Sequence, residues 1–349
     1  MTDKLGPCAP GFKSLSFLPR SFPRHRFHCL SQTSQPERTE TQTNPAKTDK
    51  MATTNLMANL TSQQTVTSKL RDYYILTKPE VNLLILMTTS AGYYLASRGP
   101  FRIAGLFNTL IGTLLVASGT ATLNQWMERV WDGQMRRTAN RPLPSGRLST
   151  REAFLFGLLL SMAGGLYLAL TVNLLSAFLA VSTLLSYLLV YTPLKRKTPL
   201  CTLLGAFPGA MPTLIGWAGA SAGINRQAWY LFAILFLWQF PHFLAIALMY
   251  RDDYARAGYR MLPAFDLESR FTRAEIVGFT LVLIVTTMLP LVARGGPVYL
   301  SGTFLAGAFL LYHVTKLARS TSKVLASRVV HASVIYLPVV LGLMIAWKR

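Results

Sequence analysis

Between Thr120 and Arg147 the chain places Asn124, Glu128 and Asp132 four residues apart, directly after a long apolar stretch. Continued as a helix, that spacing sets the three side chains along one face, each rotated a few tens of degrees from the last. One amide and two carboxylates in a row make a strip of oxygen ligands at the mouth of a membrane helix. Arg136, Arg137, Arg141 and Arg147 follow closely. Acids crowded against cations at a membrane boundary suit a ligand that is both polyanionic and metal-bound, and a magnesium diphosphate is the simplest such ligand. The plainer alternative is an interfacial loop whose acids merely balance its arginines.

A second polar cluster lies between Leu237 and Pro263. On a continuous helix His242, Met249 and Asp253 stand at i, i+7 and i+11, close to one face. An ionisable side chain within a span costs roughly 2.5–3.5 kcal/mol when charged, and usually faces a bundle interior. A hydrogen bond between helices is the structural alternative for His242. Asp252 and Asp253 are either ordinary boundary charges or a second acidic group on the same membrane side as the strip. Two acidic groups facing one cavity repel unless cations lie between them. Mg²⁺ meets that need, because it takes carboxylate and amide oxygens and completes its shell with phosphate and water. Cations for the remaining phosphate charge are available at Tyr191 to Lys197, where Lys195, Arg196 and Lys197 follow an apolar run; simple anchoring at the membrane surface is the other reading.

The elements that must hold these residues are hydrophobic helices. The 349 residues are 51% hydrophobic and only 14% charged, against about a quarter charged in a typical soluble domain. A polytopic membrane protein follows. The net charge of +21 is gathered into short joints between apolar runs, which suits membrane topology and argues against a nucleic-acid partner. Cys8, Cys29 and Cys201 form no CxxC pair, so neither a disulfide framework nor a thiolate metal site is expected. Apolar runs predict nine spans, near 76–96, 103–123, 152–170, 174–192, 200–221, 228–249, 274–293, 297–315 and 331–347. Basic residues collect in alternate joints, which places the amino terminus and the long basic joints on the cytoplasmic side, or on the matrix side in a mitochondrion. Residues 1–68 read as a disordered extension, either a transit peptide or the product of a misplaced start codon with Met51 or Met57 as the true beginning. The helical domain then occupies 69–349.

The stretch NQWMERVWDGQMRRTANRPLPSG, from Asn124 to Gly146, resembles the first motif of the UbiA superfamily of intramembrane prenyltransferases, Asn-x3-Asp-x3-Asp with a trailing Arg-Pro. YTPLKRKTP, from Tyr191 to Pro199, is similar to the Tyr-x3-Lys-Arg segment of that superfamily. GWAGA at Gly216 to Ala220, WQFPHF at Trp238 to Phe243 and DYARAGYRMLP at Asp253 to Pro263 resemble its protohaem IX farnesyltransferase branch. Two departures stand out: Glu128 occupies a position where the superfamily usually has Asp, and the second motif lacks a full Asp-x3-Asp repeat.

The resemblance implies an all-α fold of nine helices around a central cavity, with Mg²⁺ as cofactor. It implies transfer of farnesyl from farnesyl diphosphate to a vinyl group of haem B. Asn124, Glu128, Asp132 and Asp253 are then the candidate metal ligands, and Arg137, Arg141, Tyr191, Lys195 and Arg196 the candidate diphosphate-binding residues. His242 is a candidate for orienting haem or a catalytic water. His313 and His331 are weaker candidates for haem iron, since lone histidines near helix ends are more often structural. Membrane lipid, and a haem A synthase docked alongside, are the further partners to consider. The location implied is the bacterial inner membrane with the site facing the cytoplasm, or the mitochondrial inner membrane with it facing the matrix. Two other classes stay open: prenylation of an aromatic acid such as 4-hydroxybenzoate in quinone synthesis, and non-enzymatic haem carriage or transport.

Overall fold

The computed structural model describes residues 68–266, 268–289 and 295–348. All but the last residue of the extension expected over 1–68 lies outside them. Nine long helices are present among the described residues: α1 (Pro79–Ala96), α2 (Ile103–Asp132), α3 (Thr150–Thr171), α4 (Leu174–Leu194), α5 (Cys201–Ser221), α6 (Arg226–Met249), α7 (Arg270–Met288), α8 (Pro297–Arg319) and α9 (Lys323–Ala346). Each expected span falls on one of them. Eight are long and apolar enough to cross a membrane. The remaining one, α1, is 18 residues long, and Glu80 and Asn82 in its first turns hold its hydropathy down.

Local sequence explains the helix ends. Ser149 and Glu152 form a reciprocal capping box at the start of α3, which satisfies donors that a helix start leaves unpaired. Only Val172 and Asn173 separate α3 from α4, so the two form the expected hairpin. Asn173 caps α4 through Ser176 N–H at 2.8 Å and also donates to the Ala218 carbonyl at 2.9 Å. The largest departure is α2, expected to end at 123 but continuing to Asp132. The residues after Leu123 include Gln, Met and Glu and contain no Gly or Pro until Gly133, so nothing stops the helix where hydrophobicity stops.

The centre of the bundle is α5 and α6. In their apolar windows 72% and 67% of residues are buried, against 22–44% in the other six candidate spans. Helix α5 packs against α1, α2, α4 and α6, while α6 packs against α7 and α9. Contacts between α9 and α1 join the two ends of the series. Small residues permit these approaches, as is usual where lipid supplies no hydrophobic drive for association. A Cβ at Gly119 of α2 would stand 2.7 Å from the Gly157 carbonyl oxygen of α3, and one at Gly216 of α5 would stand 2.8 Å from the Thr89 carbonyl carbon of α1.

Candidate active site

With 30 residues, α2 is about 45 Å long, against about 30 Å for a hydrocarbon core. Its last turns therefore carry Asn124, Glu128 and Asp132 toward the membrane surface, yet packing buries them to 1%, 6% and 1% exposure. Three buried oxygen-bearing side chains on one helix face need partners. Each one has a basic side chain as partner. Lys78, just before α1, donates from Nζ to Asn124 Oδ1 at 3.0 Å. Lys195, just after α4, donates to Glu128 Oε1 at 2.9 Å. Arg141 donates from Nη1 to Asp132 Oδ2 at 2.8 Å. Asn124 also donates from Nδ2 to Thr192 Oγ1 at 3.1 Å.

Lys195 is aimed by an irregular end to α4. Residues Ser186–Tyr191 form a π-helical turn, a feature frequently found at functional sites. It sets the Tyr191 and Tyr187 rings 4.5 and 6.0 Å from the Lys195 ammonium. Burial acts to deprotonate Lys195, but the Glu128 carboxylate outweighs it and holds the group well above the ordinary lysine range. Lys78 has no comparable counterweight: burial first, then Arg141, bring it down to about 7.

The other basic candidates sit around this core. The Arg196 guanidinium lies over the Trp131 ring at 4.0 Å and that of Arg137 over the Tyr250 ring at 4.8 Å. Both are exposed. Arg147 is engaged elsewhere, with Nε 3.0 Å from both carboxylate oxygens of Asp72. Met135 just after α2, Cys201, Ala247 of α6, Ala257, Tyr259 and Met261 form one buried cluster, against which the partly buried Trp131 of α2, Tyr191 and Leu194 of α4 and Tyr254 pack. The two motif regions are therefore packed together.

The second motif departs from the register read from sequence. Helix α6 ends at Met249, Tyr250 leaves helical geometry with φ −109° and ψ 24°, and a separate short helix, Arg251–Arg256, carries Asp253. His242 and Asp253 are thus not on one continuous helix, and the i+11 alignment does not apply. Asp253 pairs with Arg256 one turn on, and Asp252 pairs with Lys323 at 3.0 Å. His242 Nδ1 lies 2.8 Å from Ser333 Oγ of α9, and its ring stacks on Trp238 at 4.7 Å. Trp238 Nε1 in turn donates to the Ser333 carbonyl at 2.7 Å. Among the described residues the His242 hydrogen bond runs to α9, and its ring contacts, with Trp238 and Phe243, stay within α6, not at the α2 strip. His331 Nδ1 bonds within its own helix, to the Ser327 carbonyl at 2.7 Å, and the His313 ring packs on Phe309 and Tyr312.

The donor set fits magnesium. Two carboxylates and an amide are hard oxygen ligands, and Mg²⁺ is held by few protein groups when phosphate and water fill the other positions. No group of three or more His, Cys, Asp or Glu placed to hold a metal ion occurs among the described residues, so a cage of the zinc type is not offered. The ligand strip is neutralised by Lys78, Lys195 and Arg141, the same groups that a diphosphate would draw to its own oxygens. The candidate site residues read from sequence left out Lys78 and Thr192, which the structure brings to Asn124. The dipeptide Lys78-Pro79, placed directly before the first apolar run, was the available signal for the first.

Residues 85–335 match the model of the UbiA prenyltransferase family. A protohaem IX farnesyltransferase from Solibacter usitatus is 49% identical over 286 residues, covering 79% of this chain and 98% of the relative. One from Koribacter versatilis is 43% identical over 290 residues, covering 80% and 94%. In fold, the chain is similar to a structure of digeranylgeranylglyceryl phosphate synthase, with a TM-score of 0.65 at 20% identity over 80% of this chain and 98% of the other. It is also similar to a UbiA homologue from Archaeoglobus fulgidus solved with GPP and Mg²⁺, with a TM-score of 0.56 at 13% identity over 78% and 99%. On this evidence the chain is a membrane-embedded member of the UbiA prenyltransferase family.

Proposed function

We propose that this chain transfers farnesyl from farnesyl diphosphate to a vinyl group of haem B, with addition of water, to give haem O and diphosphate. The observation that carries the reading is the buried α2 strip, in which Asn124, Glu128 and Asp132 are each hydrogen-bonded to a basic side chain. Such a site exchanges its internal ion pairs for a metal-bound polyanion. The substrates follow from the likeness to protohaem IX farnesyltransferases over most of the chain. A haem carrier would have no use for this arrangement.

Asn124, Glu128 and Asp132, with Asp253, would hold Mg²⁺ directly or through water, and the ion would neutralise charge on the diphosphate. Arg141, Lys195, Arg137 and Arg196 would take the diphosphate oxygens, the arginines being suited to bidentate contact. Tyr191, packed on Lys195, fixes the direction of that ammonium. Donors fixed before the reaction stabilise the charge that grows on the leaving group as the allylic C–O bond breaks. The farnesyl carbon so freed accepts electrons from the haem vinyl group, and water closes the resulting cation as a hydroxyl. His242 is assigned to orienting haem or that water; Ser333 engages Nδ1, which leaves Nε2 for the contact. Basic joints and bacterial relatives favour the plasma membrane, with the site on the cytoplasmic side.

The test is expression in cells that lack haem O, followed by extraction and chromatography of their haems. A farnesylated haem is expected; haem B alone refutes the assignment. Prenylated aromatic acid in place of haem O would move the chain to quinone synthesis.

A further inference from the structure

The end of the bundle opposite the α2 strip carries side-chain charge of one sign only. Every Asp and Glu among the described residues, from Asp72 to Glu275, lies in the half that holds the strip. Arg98, Arg102, Arg226 and Lys348 lie in the other half, just after α1, just before α2, at the start of α6 and just after α9. The positive-inside tendency accounts for the basic joints beside the strip, but it disfavours cations at the opposite end. Topology therefore does not explain these four, and no acidic side chain among the described residues of that end balances them.

Arg98 and Lys348 line one cavity of about 990 Å³, bounded by the end of α1, the joint between α5 and α6, and the end of α9. That volume is at the upper end of the range for small-molecule sites. Leu95 and Trp217, both buried and set back from the ends of α1 and α5, give it an apolar inner wall. Lys348 Nζ holds the Tyr94 and Ser97 carbonyls at 2.6 and 2.5 Å, which ties the end of α9 to the end of α1 while the ammonium keeps its charge. Arg98 is exposed. Asn225, also in the lining, accepts from Ala228 N–H through Oδ1 at 3.0 Å, leaving its amide N–H groups as donors. Tyr94, Phe101 and Trp229 are exposed around this end, and Tyr and Trp gather where hydrocarbon meets headgroups. Cations and an amide at headgroup depth, above an apolar wall, match the order in which a phospholipid presents its phosphate and its chains.

We propose that this cavity binds the headgroup of an anionic phospholipid, with Arg98 and Lys348 contacting its phosphate oxygens and Asn225 supplying a further donor. The assignment is independent of the prenyl-transfer reading. The lipid sits where α1, α5, α6 and α9 meet and the helix series closes, so its binding stabilises the folded chain.

The test uses the full chain, purified in detergent, with phosphatidylglycerol, phosphatidylcholine and inorganic phosphate as probes. Binding is read by native mass spectrometry and by thermal melting. Phosphatidylglycerol should raise the melting temperature of the parent more than phosphatidylcholine does. Anionic lipid also meets the basic joints beside the strip, so variants locate the effect. Arg98→Gln should bind phosphatidylglycerol about five-fold more weakly, equivalent to about 1 kcal/mol. Arg98→Lys, which keeps the charge, should retain most of the affinity. Arg102→Gln removes a cation of the same end that does not line the cavity, and should bind as the parent does. The lipid-free melting temperature of Arg98→Gln should match the parent's, because Arg98 is exposed and no acid faces it. Equal affinity in Arg98→Gln and the parent, equal losses in Arg98→Gln and Arg102→Gln, or an equal response to phosphatidylcholine would overturn the proposal. A full response to inorganic phosphate alone would overturn the lipid in favour of a free anion. Lower lipid-free stability of Arg98→Gln, or its failure to accumulate in the membrane, would mark Arg98 as structural and overturn the proposal as well.

Discussion

Replacing Lys195 with Met should destabilise the ligand-free protein out of proportion to the packing lost. Lys195 and Glu128 side chains are 13% and 7% exposed and meet at 2.9 Å. Removing one partner of a buried pair leaves an uncompensated charge, at a cost of roughly 3–5 kcal/mol. The lower end applies here, because Lys78, where protonated, also acts on Glu128. Glu128→Gln should cost less, about 1–3 kcal/mol, since Lys195 keeps the Tyr191 and Tyr187 rings and such contacts are worth roughly 0.5–2 kcal/mol. The double variant carries neither charge, so its cost should fall short of the sum of the single ones by about 2 kcal/mol. Unfolding of the four proteins in mixed micelles at rising dodecyl sulfate fraction measures the cycle. Strictly additive costs would show that the pair does not hold the free site together, and would refute the self-neutralised strip.

Asp132→Asn keeps size and removes the acid that Arg141 holds; haem O formation should fall by at least about 10²-fold while the amount of protein in the membrane stays unchanged. Normal haem O yield from that variant would sink the assignment of Asp132. Gly119→Val forces a branched side chain onto the Gly157 carbonyl and should cost about 1–3 kcal/mol, visible as a lower melting temperature; an unchanged melt would mean that α2 and α3 are not so closely packed. Ser333→Ala removes the partner of His242 Nδ1 and should cost about 0.6–1.7 kcal/mol in the same assay, with no loss of magnesium diphosphate affinity. A loss of that affinity would connect His242 to the strip after all.

Much of this arrangement is written locally. Asn124, Glu128 and Asp132 recur every four residues in a segment with no breaker, so a helix must align them wherever it is placed. Hydropathy likewise locates the nine helices. The partners of the strip are not local: Lys78 lies 46 positions from Asn124, and Lys195 lies 67 from Glu128. Only the packing of α1, α2 and α4 brings them together. The break at Tyr250 was hidden for another reason, since Met249, Tyr250 and Arg251 include no Gly or Pro to announce it. Extending α6 through that point put His242 in register with Asp253, whereas the structure ties His242 to α9. The π turn before Lys195 also lacks a signal in its sequence, although it aims a central cation.

The central claim is that the α2 strip serves prenyl transfer to haem. Its most direct measurement is the haem profile of cells that lack haem O and express either the parent chain or Asp132→Asn. The account predicts a farnesylated haem with the parent and haem B alone with the variant, at equal membrane levels of the two proteins. Haem B alone with the parent, or farnesylated haem at equal yield with both, would contradict it.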